Sequence, residues 1–375
     1  MIFMANIGVL AEPNVTKDNW SKKHGQTQLF AHNVQTDEVQ NVDLFDSQAG
    51  KGMLGRMMDI LGQKGHQTSS ISVDGTPGVL NGGTTHTTFV SSDGVQKFNP
   101  IPWATDIEQL VRSLNNGTSS TSGLFGETWS RLLHQALGEN EILYDVLKDS
   151  QPTQTFPDTN LGKQLKTVAQ LTKMRDVLIS DRNAFYVEIG GFDNHLNLNS
   201  EFKNRMIEVD RAIGNFVAEM KSQGIWNDIV LVGVSEFARA LAPNSGQGSD
   251  HGWGGNYFVM GGQVRGGTIL GEYPDDFTQN GPQIIDIAGR MIPKRPWDSV
   301  WNGICQWFGV TDHNDLDVVL PNRNKFTSLL FSKDKLFKSM ANPPNPNRAI
   351  KEVAKSASEV VIEETSSKVN YNGRS

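Results

Sequence analysis

The sequence predicts an α/β fold. Three features carry the prediction: a largely apolar run at residues 2–10, a strand, helix, strand succession over residues 184–234, and amphipathic helical stripes between them. The run at 2–10 reads as a buried strand that begins without a preceding turn or cap. Met53, Leu54, Met57, Met58 and Leu61 recur at helical spacing within residues 52–61, and residues 69–73 alternate as a short strand. Residues 75–99, rich in Gly, Thr and Ser, read as a long surface excursion. Helical patterns follow at 107–114 and 128–147, and Leu161, Leu165, Val168, Leu171, Met174 and Leu178 mark a longer amphipathic helix. Apolar runs at 184–189 and 229–234 read as strands, joined by a helix with Phe202, Met206, Val209, Ile213, Phe216 and Met220 on one face. A further strand is expected at 257–260, and helices near 284–291 and 297–308. Residues 1–340 are read as one domain. Residues 341–375 turn to Pro, Asn, Lys, Glu and Ser and are expected to form a polar, disordered tail.

A chain of 375 residues buries a core large enough to fold without a metal or disulfide staple, so a metal site here would serve function. The net charge of -7 argues against a nucleic-acid binder, which would display a basic face. An anionic substrate must then be met locally, by a metal or by one arginine. The single cysteine, Cys305, excludes an intrachain disulfide framework and a cysteine-rich zinc site, and its apolar surroundings mark it as a buried small hydrophobe. No apolar run approaches the roughly 18 residues of a membrane-spanning helix. The first residues lack the basic and apolar regions of a signal peptide. Asn14-Val15-Thr16 and Asn116-Gly117-Thr118 match a glycosylation pattern too short to fix the compartment, and nothing sets the oligomeric state.

The chemistry-bearing residues gather after the two central strands. A helical crossover between parallel strands places both carboxyl ends at one sheet edge, where α/β proteins bind their ligands. The first strand runs into Gly190-Gly191-Phe192-Asp193-Asn194-His195, and the second into Ser235-Glu236-Phe237-Ala238-Arg239. A third loop adds Ser249-Asp250-His251-Gly252-Trp253-Gly254-Gly255. Together Asp193, His195, Glu236, Asp250 and His251 offer three carboxylates and two imidazoles, a donor set suited to a hard or borderline dication. Each piece alone has an ordinary explanation: a turn for Asp193 and His195, a helix cap for Glu236, an Asx-turn for Asp250. Their shared placement favours the metal reading. Arg239 reads as a surface charge or a partner of Glu236, or else as a clamp for an anionic group. His24, His66, His86, His134 and His313 lack companion ligands and read as structural or solvated.

These three segments, in this order, resemble the signatures of domain-of-unknown-function family 1501, which is similar to the alkaline phosphatase and sulfatase superfamily. The likeness extends to Gln28-Leu29-Phe30-Ala31-His32-Asn33, to Gly261-Gly262-Gln263-Val264-Arg265-Gly266-Gly267, and to residues 297–309 with Leu320-Pro321-Asn322, covering residues 1–330. The resemblance implies a three-layer α/β/α sandwich with a mostly parallel central sheet and a divalent metal cluster of zinc, calcium, magnesium or manganese. It also implies hydrolysis of small-molecule or polymeric phosphate or sulfate esters in an extracytoplasmic setting. On that pattern Asp193, His195, Glu236, Asp250 and His251 are the metal ligands, Arg239 is the anion clamp, and His32, placed at the same sheet edge, is a second catalytic candidate.

The sequence departs from the pattern in places. The family's opening strand with a Gly-Gly-X-Asp-Gly motif has no match, so the chain reads as N-terminally truncated and the metal set as one aspartate short. Ala31 stands where the family commonly has serine, removing a nucleophile for which Thr27 and Ser21 are poor substitutes. Phe192 replaces a tryptophan and Ala238 a glycine. A non-catalytic metal- or anion-binding relative, or a fragment of an active enzyme, is the alternative expectation.

Overall fold

The computed structural model describes residues 1–339 except 24–27, 46, 49, 96, 97, 99–105, 117–120 and 176–179. The stripe position Leu178, His24, Thr27, the tripeptide at 116–118 beyond Asn116, and the expected tail fall outside the described residues. The chain runs β1 (Ile2–Gly8), α1 (Trp20–Lys23), α2 (His32–Asn41), α3 (Met53–Gln63), β2 (Thr68–Ser72), β3 (Thr87–Phe89), α4 (Ile107–Leu114), α5 (Gly123–Asp149) and α6 (Asn160–Lys173). It continues through β4 (Arg182–Tyr186), α7 (Leu198–Ser222), β5 (Val230–Gly233), β6 (Gly255–Gly261), β7 (Thr268–Gly271), β8 (Arg295–Pro296), α8 (Trp297–Phe308), α9 (His313–Val319) and α10 (Lys333–Leu336). No described helix is long and apolar enough to cross a membrane.

The α/β class expected from the sequence is what the chain adopts, but its strands form two sheets. A five-stranded mixed sheet has the order β5-β6-β1-β7, with β8 also pairing β1. In it β6 runs antiparallel to both β5 and β1, while β7 and β8 are parallel to β1. A three-stranded sheet, β3-β2-β4, is wholly parallel. Four strands of the large sheet thus point one way and β6 alone opposes them. The expectation that the strands flanking α7 share a sheet is corrected, since β4 borders the small sheet and β5 borders the large one.

Burial explains why these elements form. Ile2, Met4 and Ile7 of β1 are fully buried against Met53, Met57, Met58 and Leu61 of α3 and Val300 and Ile304 of α8. Leu161, Leu165 and Val168 of α6 meet Ala212, Phe216 and Met220 of α7 in a second cluster. Each such large side chain contributes about 1.5–3 kcal/mol on burial. Ala184, Tyr186, Val230 and Val232 join the first cluster, and Phe185, Ile229 and Leu231 the second, so β4 and β5 carry helices on both faces. Only the C-terminal half of the α7 stripe is buried this way. Phe202 and Met206, expected on the same face, are exposed.

Other differences are local. The strand expected at 184–189 sits at Arg182–Tyr186. The surface excursion includes β3, which pairs with β2. No helix forms near 284–291. There the Asp286 side chain accepts the Ala288 N–H at 3.1 Å, Gly289 takes φ +75°, and Ile285 N–H donates to Arg290 O at 2.9 Å, closing a tight loop. Cys305 is fully buried, and burial pushes its thiol up to about 12, as expected of an inert core residue. His66 pairs with Asp181 at 2.8 Å, and His313 Nδ1 lies 2.9 Å from Arg323 Nη2.

Candidate metal centre

Because β5 and β6 are antiparallel neighbours, with Gly233 opposite Phe258, the segment leaving β5 and the segment entering β6 share one sheet edge. They stay paired beyond the strands. Ala240 N–H donates to Asp250 O at 2.8 Å, Gly252 N–H to Ala238 O at 2.5 Å, and Arg239 faces His251 across an isolated antiparallel bridge. The segment leaving β4 is stitched onto this pair: Ser249 N–H donates to Asn194 O at 3.1 Å, Asn197 N–H to Gly246 O at 3.2 Å, and Asn244 Nδ2 to His195 O at 3.1 Å. Gly248 permits the approach, because a Cβ there would lie 2.1 Å from the His195 carbonyl carbon. Three loops therefore meet although β4 and β5 belong to different sheets.

Asp193 is the point of convergence. Its Oδ1 lies 3.1 Å from Nε2 of His195 and 3.1 Å from Nε2 of His251, and those two nitrogens are 3.0 Å apart. Its Oδ2 lies 3.4 Å from Nε2 of His32. Arg239 Nη1 donates to Oδ1 at 2.5 Å, while Nη2 donates to the Ser249 carbonyl. Arg239 therefore partners Asp193 and not Glu236, which was one of the partners open to it from sequence. Burial alone would raise the Asp193 carboxyl, but the Arg239 hydrogen bond and the neighbouring His195, Arg239 and His251 hold it below the usual range.

Each imidazole is anchored at its other nitrogen. His32 Nδ1 meets Glu236 Oε1 at 2.8 Å, and Glu236 Oε2 accepts from Ser235 Oγ at 2.7 Å. His195 Nδ1 meets Asp250 Oδ1 at 3.3 Å, and the same oxygen accepts from Asn244 Nδ2 at 3.1 Å. The Asn244 hydrogen bond, opposed by slight burial and helped by His195, holds the Asp250 carboxyl below its ordinary value. His251 Nδ1 donates to Phe30 O at 2.8 Å.

Supporting contacts fix the anchors in turn. Phe30 takes φ +70° ahead of α2, and its N–H donates to Oε1 of the buried Gln35 at 2.5 Å. Arg290 lies over the Phe30 ring at 4.8 Å, donates through Nε to His251 O at 2.6 Å, and pairs with Asp286 at 2.5 Å. The buried Phe237 ring sits 4.8 Å from that of His32 and 4.6 Å from that of His251, an apolar floor under both.

All seven residues singled out from sequence, Asp193, His195, Glu236, Asp250, His251, Arg239 and His32, thus lie in one contact network. His32 enters it as the first residue of α2. Phe30, Gln35, Asn244 and Arg290 escaped the sequence reading because they act largely on backbone carbonyls and loop amides, for which no residue pattern exists. Phe237 was legible only as an apolar neighbour of Glu236.

Three of these residues could hold a cation between them. His32, Asp193 and His251 each offer an atom within 4.8 Å of the others. Asp193 Oδ1, His195 Nε2 and His251 Nε2 form a second triangle, 3.0–3.1 Å on a side.

Residues 144–287 match the family described as Protein of unknown function (DUF1501). That stretch holds Asp193, His195, Glu236, Arg239, Asp250 and His251, and supports the resemblance on its most informative segments. It is narrower than the 1–330 over which the likeness was read, and His32 lies outside it. No curated protein and no solved structure matches the chain.

Proposed function

We propose that the chain is a metal-dependent hydrolase of phosphate or sulfate esters, built as an α/β/α sandwich of the alkaline-phosphatase-like kind. One observation carries the proposal: an aspartate surrounded by three imidazoles, each held at its far nitrogen by a separate acceptor. Metal-binding histidines are anchored in this way. The alternation of β4 and β5 side chains between two helix-backed clusters supports the layered architecture.

A bound divalent ion would polarise an ester oxygen and lower the pKa of a bound water. An imidazole-rich set favours zinc or another borderline ion over calcium or magnesium. The protein's own part is to keep the Nε2 atoms of His32, His195 and His251 and the Asp193 carboxylate converged, and to present the Arg239 guanidinium beside them for the ester's anionic oxygens. A non-catalytic binding relative is the second reading. It is favoured by Ala31, which caps α2 beside His32 with a methyl in place of a hydroxyl nucleophile.

Elemental analysis of the purified chain, together with turnover of aryl phosphates and aryl sulfates, tests the proposal. Wild type is expected to carry a stoichiometric divalent metal and to cleave at least one ester class, with both lost in Asp193→Ala. Metal uptake without cleavage would select the binding relative. A metal-free wild type, matched by Asp193→Ala in stability and inertness, would remove both readings.

A further inference from the structure

The carboxylates of Glu236 and Asp250 are already engaged where they stand. Glu236 uses one oxygen on His32 Nδ1 and the other on Ser235 Oγ, and Asp250 Oδ1 is shared between His195 Nδ1 and Asn244 Nδ2. The Phe30 carbonyl does the same for His251 Nδ1. A carbonyl only accepts hydrogen bonds, so His251 donates its Nδ1 proton to Phe30 O, and the Nδ1 atoms of His32 and His195 are likewise occupied, by Glu236 and Asp250. In all three rings Nε2 is the atom aimed at Asp193: 3.4 Å from Oδ2 for His32, and 3.1 Å from Oδ1 for His195 and His251.

We infer that the centre is two concentric rings with different tasks. The inner ring, Asp193 with the Nε2 atoms of His32, His195 and His251, donates to the cation. The outer ring, Glu236, Asp250 and the Phe30 carbonyl, fixes the tautomer and tilt of the imidazoles. Glu236 and Asp250 are positioning residues, and His32 is a ligand. This rests on the cation-binding reading proposed above and changes the roles that the sequence suggested for Glu236, Asp250 and His32. Phe237, packed against the rings of both His32 and His251, keeps those two at a fixed mutual angle, with ring centroids 4.6 Å apart and an interplanar angle of 75°.

The test uses the full chain loaded with Zn²⁺ for affinity, by competition with a chromophoric chelator, and with Cu²⁺ for counting nitrogen donors by their hyperfine splitting. E236Q and D250N are expected to keep the wild-type metal-to-chain ratio and nitrogen count, with affinity weakened about 10–100-fold, as for outer-shell partners of metal-bound histidine. H32A is expected to lose one nitrogen from that count. In the Zn²⁺-loaded chain, ring-nitrogen NMR should find the ion on Nε2 and the proton on Nδ1 of all three imidazoles, with Glu236→Ala disturbing only His32 and Asp250→Ala only His195.

If folded E236Q or D250N is as empty as D193A, or H32A keeps every nitrogen, the division of labour is overturned while the metal reading stands. Zn²⁺ found on Nδ1 of any of the three rings would overturn it too. A wild-type chain that takes up neither ion overturns this inference and the reading beneath it together.

Discussion

Asp193 receives Arg239 and two imidazole nitrogens on a single oxygen, with a third imidazole on the other. Its side chain is 46% exposed, so solvent screens each pairwise attraction and no single ion pair fixes the arrangement. Backbone packing does. The loop carrying Asp193 and His195 is pressed against the loop carrying Asp250 and His251 at Gly248, where an added methyl would meet the His195 carbonyl carbon at 2.1 Å and its oxygen at 2.2 Å. Both are backbone atoms tied by further hydrogen bonds, so neither loop yields by a side-chain rotation. Gly248→Ala is therefore expected to cost about 1–3 kcal/mol, as overpacking does, and to move His195 off Asp193. Urea unfolding reads the first effect and competition for Zn²⁺ the second. A variant as stable and as tight-binding as wild type would mean that the loops do not pack this closely.

At the scale of elements, α2 links the centre to the core. It delivers His32 from its first turn, and the buried Gln35 reaches back to the Phe30 N–H at 2.5 Å, fixing the carbonyl that His251 uses. Gln35→Ala would remove that acceptor without touching any residue facing Asp193. The expected outcome is a loss of about 1–3 kcal/mol from the unsatisfied N–H, together with weaker Zn²⁺ binding through His32 and His251 at once. Unchanged Zn²⁺ affinity in a destabilised Gln35→Ala would confine Gln35 to the core.

This helix was not legible in the sequence, because His32–Asn41 carries only Val34 and Val39 as aliphatic positions and its N-cap is Ala31, with no side-chain cap. The helices α3, α6 and α8 were legible because their stripes are long and apolar. The acid and histidine motifs were legible because each is local, one loop at a time. The assignment of β4 and β5 to different sheets was not, since pairing between distant strands leaves no local signature and α7 would connect them either way. Glu236 and Asp250 show the same limit within the site. Their residue type marks them as donors, and only geometry reveals that they face Nδ1 atoms.

For the molecule as a whole, the most consequential charge away from the centre lies where α2, α3, α8 and α9 meet. Arg56 of α3, 2% exposed, donates to Val319 O at 2.8 Å, to Asn41 O at 2.5 Å and to Lys51 O, tying three segments together through carbonyls. Asp298, 4% exposed in the first turn of α8, is the buried acid nearby. Burial pushes its carboxyl from 3.8 up to about 7, against the opposing pull of its own backbone N–H, Arg56 and Lys325, and with a further push from Asp43. The folded chain thus holds a proton that the unfolded chain has released across that interval. Where the native state binds more protons, stability falls as pH rises, so this residue's stabilising contribution is present below about pH 4 and is lost progressively towards pH 7. Asp298→Asn keeps the shape, cannot ionise, and removes that slope. Wild type is therefore expected to lose more stability than Asp298→Asn between pH 5 and pH 8, by about 1 kcal/mol or more at roughly 1.4 kcal/mol per pKa unit. Urea midpoints of the two proteins at both pH values give the difference directly and cancel any constant effect of the substitution. An equal loss in both proteins would show that Asp298 is ionised in the folded core throughout, with Arg56 holding its charge.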